Sequence, residues 1–532
     1  MNNLLLRYFS VILFSLISFS SIVFAQEKIS FIDFPAINLE EVNEVKITTE
    51  TDNWQYLLDS LRYNGDEFLS IKSLRINDKD YSKASIAYVE ESKFEADQIQ
   101  RSLWLNVDGD KLVRVNTFEK DPSLIREKLS TDIYNHFMVV PQTAYAKVLV
   151  NDEFYGFMLL QEQVTPSFVE YHLGKGDQTS IVKTRPNFSV DDHEGCISNN
   201  YASLLHEKNA QCLNYIFEGD QVEELRKVTN ALQGDLKSLE MILDINSALW
   251  MLALNDVTLN FDSYTGLNST NFYLVKDQFG RYNFIPFGFE LAFGGKKRVT
   301  EGSDFTLDQM VNLPLAFHKD NRKYPLVRAL LNNETYYKAY LSNCRAVMDY
   351  YYQGDRYLEL AKQYQSIVES NIEQDPFLAD QKEKMLDNLY STVGKRSKVP
   401  GIQEIVDARY AFLKKETVLK VLGPEILDYT FKKRARFSNE KIKDFDLMVQ
   451  TDKYAESVKI HFRFSDQEAF RSIDLSEKKT ENEQTFAVKI TPPEGYRNLE
   501  FYFELDNAKM KSFFPLNYEQ ATLQADLNTL NK

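Results

Sequence analysis

The sequence predicts an α+β protein: a mixed domain with a helical C-terminal part, followed by a β-sandwich. Three observations carry that expectation. Hairpin signals recur through the first half. Apolar residues then follow helical spacing up to Leu422. Beyond Gly423-Pro424 the period switches to two. The length of 532 residues exceeds what one core supports, and 43% hydrophobic content with 37 Phe and 30 Tyr is ample for several.

Taken in order, "TDNWQYLLDSL" predicts a helix capped by Asp52 or Asn53. "FLSIKSLRIND" alternates as a strand. "QRSLWLNVDGDKLVRVNTF" predicts a hairpin turning at Asp108-Gly109. "EKDPSLIREKLSTDIYNHF" predicts a helix with Asp121 as cap and Pro122 in its first position, where a missing N–H costs nothing. A second hairpin turns near Asn151-Asp152 and ends on Glu162. A short strand ends on Lys183. "LDINSALWMLALNDV" is helical, and "TNFYLVKDQFGRYNFIPFGFELAFGG" is a third hairpin, turning near Gln278–Gly280. Residues 324–422 read as helices, and alternating runs from Phe445 to Leu505 read as the sandwich, 425–520.

A net charge of −16 makes nucleic acid a poor partner, because a duplex binder needs a basic surface. Residues 1–25 carry Arg7, an apolar stretch and a Val23-Phe24-Ala25 cleavage site. They predict a signal peptide and an exported protein, in the periplasm, at the cell surface or outside the cell, with no other membrane segment. Export permits a disulfide, and Cys196 with Cys212 is the plausible pair; Cys344 reads as core. His461 is expected on a solvated strand face. His193 and His206 lie in a loop region. The chain has no HExxH, no GxSxG and no phosphate-binding GxxxxGK[ST].

Three segments taken together resemble the CotH family, the spore-coat protein H kinase-like proteins. "VNTFEKDPSLIREKLSTDIYNHFMVVPQTAYAKVLVNDEFYGFMLLQEQV" is similar to the family's stretch with a DPS-x-x-RE helix and an NGxYxGxYxLxE hairpin. "IVK" is similar to its "LYK". "LNFDSYTGLNSTNFYLVKDQFGRYNFIPFGFELAFGG" is similar to its N-x-D…N-x-Y-L-Y…I-P-W-D-x-D-x-A-F-G signature. The resemblance spans roughly residues 45–420 and implies an atypical protein-kinase-like fold. Residues 26–100 would be an α/β segment of one lobe, and 101–422 the kinase-like domain. It also implies transfer of phosphate from ATP, with Mg²⁺ or Mn²⁺, to serines of secreted or surface proteins.

By that resemblance Lys183 is the phosphate-binding lysine, helped by Arg101, and Glu162 orients one of them. Asp262 is the catalytic or metal-side carboxylate, with Asn271 beside it as a metal ligand. The family has Asp where this chain has Gly288 and Glu290. Read as a strand, that pair faces one side, so the chain keeps one longer carboxylate and loses the other. Mg²⁺ tolerates displaced ligands poorly. Three functions follow: an ATP-dependent serine kinase, a catalytically impaired pseudokinase that binds a partner, or an adhesive module without nucleotide.

Overall fold

The computed structural model describes residues 31–63, 68–89, 100–176, 180–184, 204, 215–216, 221–300, 302–433, 444–479, 484–496 and 498–527. The proposed signal peptide, Cys196, Cys212, His193 and His206 lie outside them.

The three expected hairpins form where turn residues permit positive φ. Asp108 and Gly109 sit at φ 57° and 92° between Leu103–Val107 and Lys111–Asn116. Asn151 and Asp152 sit at 52° and 63° between Thr143–Val150 and Glu153–Glu162. These strands belong to a nine-stranded sheet. Its order is Leu69–Ser70, Ala84–Tyr88, Leu103–Val107, Lys111–Asn116, Glu153–Glu162, Thr143–Val150, Asn43–Thr48, Ser73–Ile76 and Lys79–Tyr81. The run "FLSIKSLRIND" is two strands rather than one. Leu69–Ser70 pairs with Ala84–Tyr88, while Ser73–Ile76 pairs with Asn43–Thr48 near the opposite edge. Only Ile71 and Lys72 lie between them, so the sheet must curl until its ends approach. Its concave face buries Val45, Ile47, Leu74, Ile86, Leu105, Val113, Val148 and Leu160.

A smaller sheet carries Tyr215–Ile216, Ile181–Thr184, Phe272–Lys276 and Tyr282–Pro286. Helix Ile245–Val257 packs on it, capped by the Asp244 carboxylate on Ser247 N at 2.9 Å. Ten of its thirteen residues are buried, from Ser247 to Asn255 without a break, which suits its apolar Ala248–Leu254 run. Helices Pro325–Leu331, Glu334–Val347, Arg356–Glu369, Lys382–Tyr390 and Ile402–Leu413 follow, with Cys344 fully buried among them. Arg409 is buried as well. It donates to the carbonyls of Val311, Leu313 and Asp256.

Beyond Gly423, two antiparallel sheets share one core of Phe445, Leu447, Val449, Ile460, Phe486, Phe501 and Phe503. His461 is not solvated there. Its ring stacks on Tyr502 at 4.5 Å and Nε2 lies 2.9 Å from Glu504, because the larger domain covers that strand face. No helix among the described residues is long and apolar enough to cross a membrane.

The segment before the second helix departs from the expected cap. The helix runs Arg126–Asn135 and Asp121 precedes it by five residues. Leu124, at φ 59°, interrupts any helix begun at Pro122. The Asp121 carboxylate accepts from Ser123 N, Arg126 N and the Arg126 guanidinium, at 2.9, 2.7 and 2.8 Å. Arg126, fully buried, also donates to Asn388 Oδ1 at 2.7 Å and to the Pro400 carbonyl. Replacing Arg126 by Ala leaves Asp121 charged and buried. The expected loss is about 3–5 kcal/mol, read as a lower urea midpoint; a loss under about 1 kcal/mol contradicts this account.

Candidate functional site

The sequence-predicted residues separate into two groups in space. Asp262, Asn271 and Glu290 come together. Asn271, at φ 60°, turns the chain at the entry to strand Phe272–Lys276. Its Nδ2 donates to the Asp262 carbonyl at 2.8 Å, to Asp262 Oδ2 at 3.1 Å and to the Gly288 carbonyl at 3.3 Å. One amide thereby ties the loop after helix Ile245–Val257 to the end of strand Tyr282–Pro286.

Gly288 and Glu290 do not share a strand face. The strand ends at Pro286, and Gly288 takes φ +71°, so the alternation assumed from sequence is broken there. A Cβ on Gly288 would lie 3.2 Å from Asn271 Nδ2, tight but beside a side chain that can shift.

Each carboxylate faces a lysine. Glu290 Oε1 is 2.7 Å from Lys120 Nζ, and Asp262 Oδ1 is 3.4 Å from Lys296 Nζ. Lys120 also interacts electrostatically with Asp262 and Arg114. Burial holds the Asp262 carboxyl above its ordinary range, with Lys296 opposing. Behind Glu290 lies Glu127, on helix Arg126–Asn135, accepting from Gln161 Nε2 at 2.9 Å. Burial, then the charge of Glu290, push its carboxyl up to about 8, with Arg114 opposing.

Lys183, Arg101 and Glu162 do not form the expected trio. Glu162 spends its oxygens on the amides of Ile32 and Gln142, at 2.7 and 3.0 Å, and touches neither cation. Burial raises its carboxyl to about 7 against those two donors. Arg101 pairs with Asp59 at 2.5 Å and lies over the Tyr88 ring. The reason is topological: Arg101 precedes strand Leu103–Val107 and faces helix Trp54–Tyr63, where Asp59 sits.

Lys183 instead points into three aromatic rings. Its ammonium lies 5.7 Å from the Trp104 centroid, 5.3 Å from Tyr273 and 5.0 Å from Phe287. Arg114 lies over the same Trp104 at 6.0 Å. Among the described residues neither cation has a hydrogen-bonded or ion-paired carboxylate. The pairing register explains the proximity, since Trp104, Arg114 and Gln161 sit side by side on three neighbouring strands. Sequence reasoning missed Lys120, Lys296, Arg114 and Glu127. The available signal was local for Lys296, six residues beyond Glu290, and for Glu127 in the "RE" of the DPS motif.

A family model described as "CotH kinase protein" matches residues 61–413. The chain belongs to the CotH kinase protein family. No curated protein matches it. The match covers the nine-stranded sheet from helix Trp54–Tyr63 onward, the smaller sheet and the helices through Ile402–Leu413. It stops short of the C-terminal sheets. Membership points in general terms to kinase-like chemistry with ATP and metal.

The side chains of this CotH-family member do not fit a divalent cation as folded. Both carboxylates of the candidate metal set are engaged by lysines, and Asn271 presents its amide nitrogen, not its oxygen, to Asp262. Among the described residues no group of three or more His, Cys, Asp or Glu gathers into a metal site. A cavity of about 1600 Å³ opens elsewhere, between the Phe272–Pro286 hairpin and the C-terminal sheets, and none of these residues lines it.

Two outcomes follow. A carboxyl whose folded pKa is raised costs stability as pH climbs from its unfolded value to its folded one. For Glu127 that window runs from about 4.5 to about 8. Glu127→Gln should therefore match wild type near pH 4.5 and be more stable at pH 8, by up to roughly 4 kcal/mol; equal urea midpoints at both pH values refute this. Gly288→Asp places a side chain at positive φ and should lose about 1 kcal/mol, seen as a small drop in melting temperature.

Proposed function

We propose that this chain is an exported, kinase-like protein that holds a nucleotide or other phosphate ester in the cleft beside Trp104, with phosphoryl transfer impaired. It would act by binding and assembling a secreted or surface partner. The observation that carries this reading is the pair Arg114 and Lys183. Both are half-buried against one indole, and among the described residues neither is hydrogen-bonded or ion-paired to a carboxylate, the acid whose charge Arg114 opposes being the buried Glu127. Cations left uncompensated in a partly desolvated cleft favour an anionic ligand.

In this reading the curled sheet with helix Arg126–Asn135 forms one lobe and the helices after Pro325 the other. Asp262 lies on the connection between them. Trp104, Tyr273 and Phe287 offer flat apolar surface for a base. Arg114 replaces Lys183 and Arg101 as the principal phosphate cation, and Glu127 replaces Glu162 as the carboxyl beside it. This is the division of labour that kinases assign to a strand cation and a helix glutamate. Loss of the carboxylate at Gly288 is what impairs transfer. The C-terminal sheets, read as a β-sandwich, would present the partner-binding surface, and residues 1–25 would direct export.

Retained catalysis is the second reading, and Asp262 is the observation that favours it. Its part-buried carboxylate with a raised pKa is suited to accept a hydroxyl proton.

Thermal denaturation with ATP tests the first reading. Ligand at 100 times its dissociation constant should stabilise by about 2.7 kcal/mol. Arg114→Ala should weaken binding roughly tenfold or more, the worth of a charge-assisted hydrogen bond. No shift with any nucleotide would overturn the reading. Labelled phosphate appearing on a co-exported protein would transfer the conclusion to the second.

A further inference from the structure

We infer that the cleft binds its phosphate ligand without a divalent metal, with Lys120 and Lys296 supplying the positive charge that a metal ion supplies elsewhere in kinase-like sites. This rests on the proposed phosphate-binding reading and adds the means of charge compensation.

A phosphate chain needs cations on its oxygens, and a site that uses a metal must also keep anionic oxygens to hold the metal. Here the balance is inverted. Three cations, Arg114, Lys120 and Lys296, lie about two carboxylates, Asp262 and Glu290, and Lys183 lies with Arg114 over the Trp104 ring. The third acid nearby, Glu127, is buried and accepts from Gln161, and that burial disfavours its charged form. The cleft therefore carries surplus positive charge before any ligand or metal arrives.

Geometry agrees with the count. Lys120 and Lys296 each sit on one of the carboxylates that a metal would need. The remaining family position, Gly288, has no side chain to offer. Its carbonyl is engaged by Asn271, which also holds Asp262 Oδ2. A divalent ion entering this cluster would have to displace two ammonium groups and would find two carboxylates in return. An incoming phosphate can draw both ammonium groups towards itself while Asp262 and Glu290 stay to anchor them. The two lysines lie on separate segments, one before helix Arg126–Asn135 and one after the Gly294-Gly295 turn, and both act on Asp262.

The experiment is ATP binding to the mature protein by calorimetry, once in excess EDTA and once in Mg²⁺, with Lys120→Met and Lys296→Met measured beside wild type. The expected result is an affinity in EDTA within about threefold of that in Mg²⁺. Each lysine variant should lose at least tenfold in EDTA while still showing a cooperative unliganded melting transition. Binding that appears only with Mg²⁺ overturns the inference and leaves the nucleotide-binding reading standing. Binding in EDTA that neither variant weakens overturns the role of the lysines. Absence of binding in both conditions overturns the inference together with the reading it rests on.

Discussion

Arg126 and Asp121 form the contact on which the arrangement of this protein depends. The pair is fully desolvated; Asp121 also bonds Ser123 and the Arg126 amide in its own turn, and the Arg126 guanidinium also bonds a distant part of the chain. Asp121 holds the turn that leads out of the strand Lys111–Asn116 and bonds the first amide of the helix. Arg126 reaches Asn388 and Pro400, more than 260 residues on. A buried ion pair gives little net stability over an apolar substitute, yet it is costly to satisfy in any other geometry. It therefore acts as a registration device between sheet, helix and helical region. Asp375 repeats the device on a smaller scale, accepting from Phe157 N and Gln100 Nε2 where the strand passes through Gly156. A side chain on that glycine would meet Gln100 at 1.8 Å.

The cleft inherits its composition from this registration. Once helix Arg126–Asn135 is seated against the sheet, Glu127 must face inward, with Lys120 on the preceding loop. The helix and hairpin at 245–286 bring Asp262, Asn271 and Glu290 to the same place. Carboxylates crowded at one point repel unless cations or protons intervene. This chain uses both remedies. Burial holds the Glu127 carboxyl well above its ordinary range, which favours its neutral form, while Glu290 and Asp262 take lysines. The loss of a carboxylate at Gly288 removes one further negative charge from the same point.

The C-terminal sheets are joined to this framework by side chains and not merely by a linker. Tyr502, Met510 and Tyr518 belong to the main core, and Lys338 reaches Asp506 at 3.1 Å. A surface that would carry partner-binding residues is thus mechanically continuous with the helices behind the cleft.

Much of the fold was legible because it is set by near neighbours. Hairpin turns at Asp108-Gly109 and Asn151-Asp152 and the switch of period after Gly423 each depend on a few adjacent residues. So did the meeting of Asp262, Asn271 and Glu290, through an ordered family pattern. What the sequence alone could not decide was the partner of each charge. Glu162 bonds the amides of Ile32 and Gln142, Arg101 takes Asp59, and Lys183 lies among Trp104, Tyr273 and Phe287. Those pairings join residues distant in sequence, and they are settled by strand order and by the curl of the sheet. Residue type determined that a cluster of acids and bases would exist; only the tertiary structure decided which charges cancel and which remain, because electrostatic energy depends on distance and burial rather than on position along the chain.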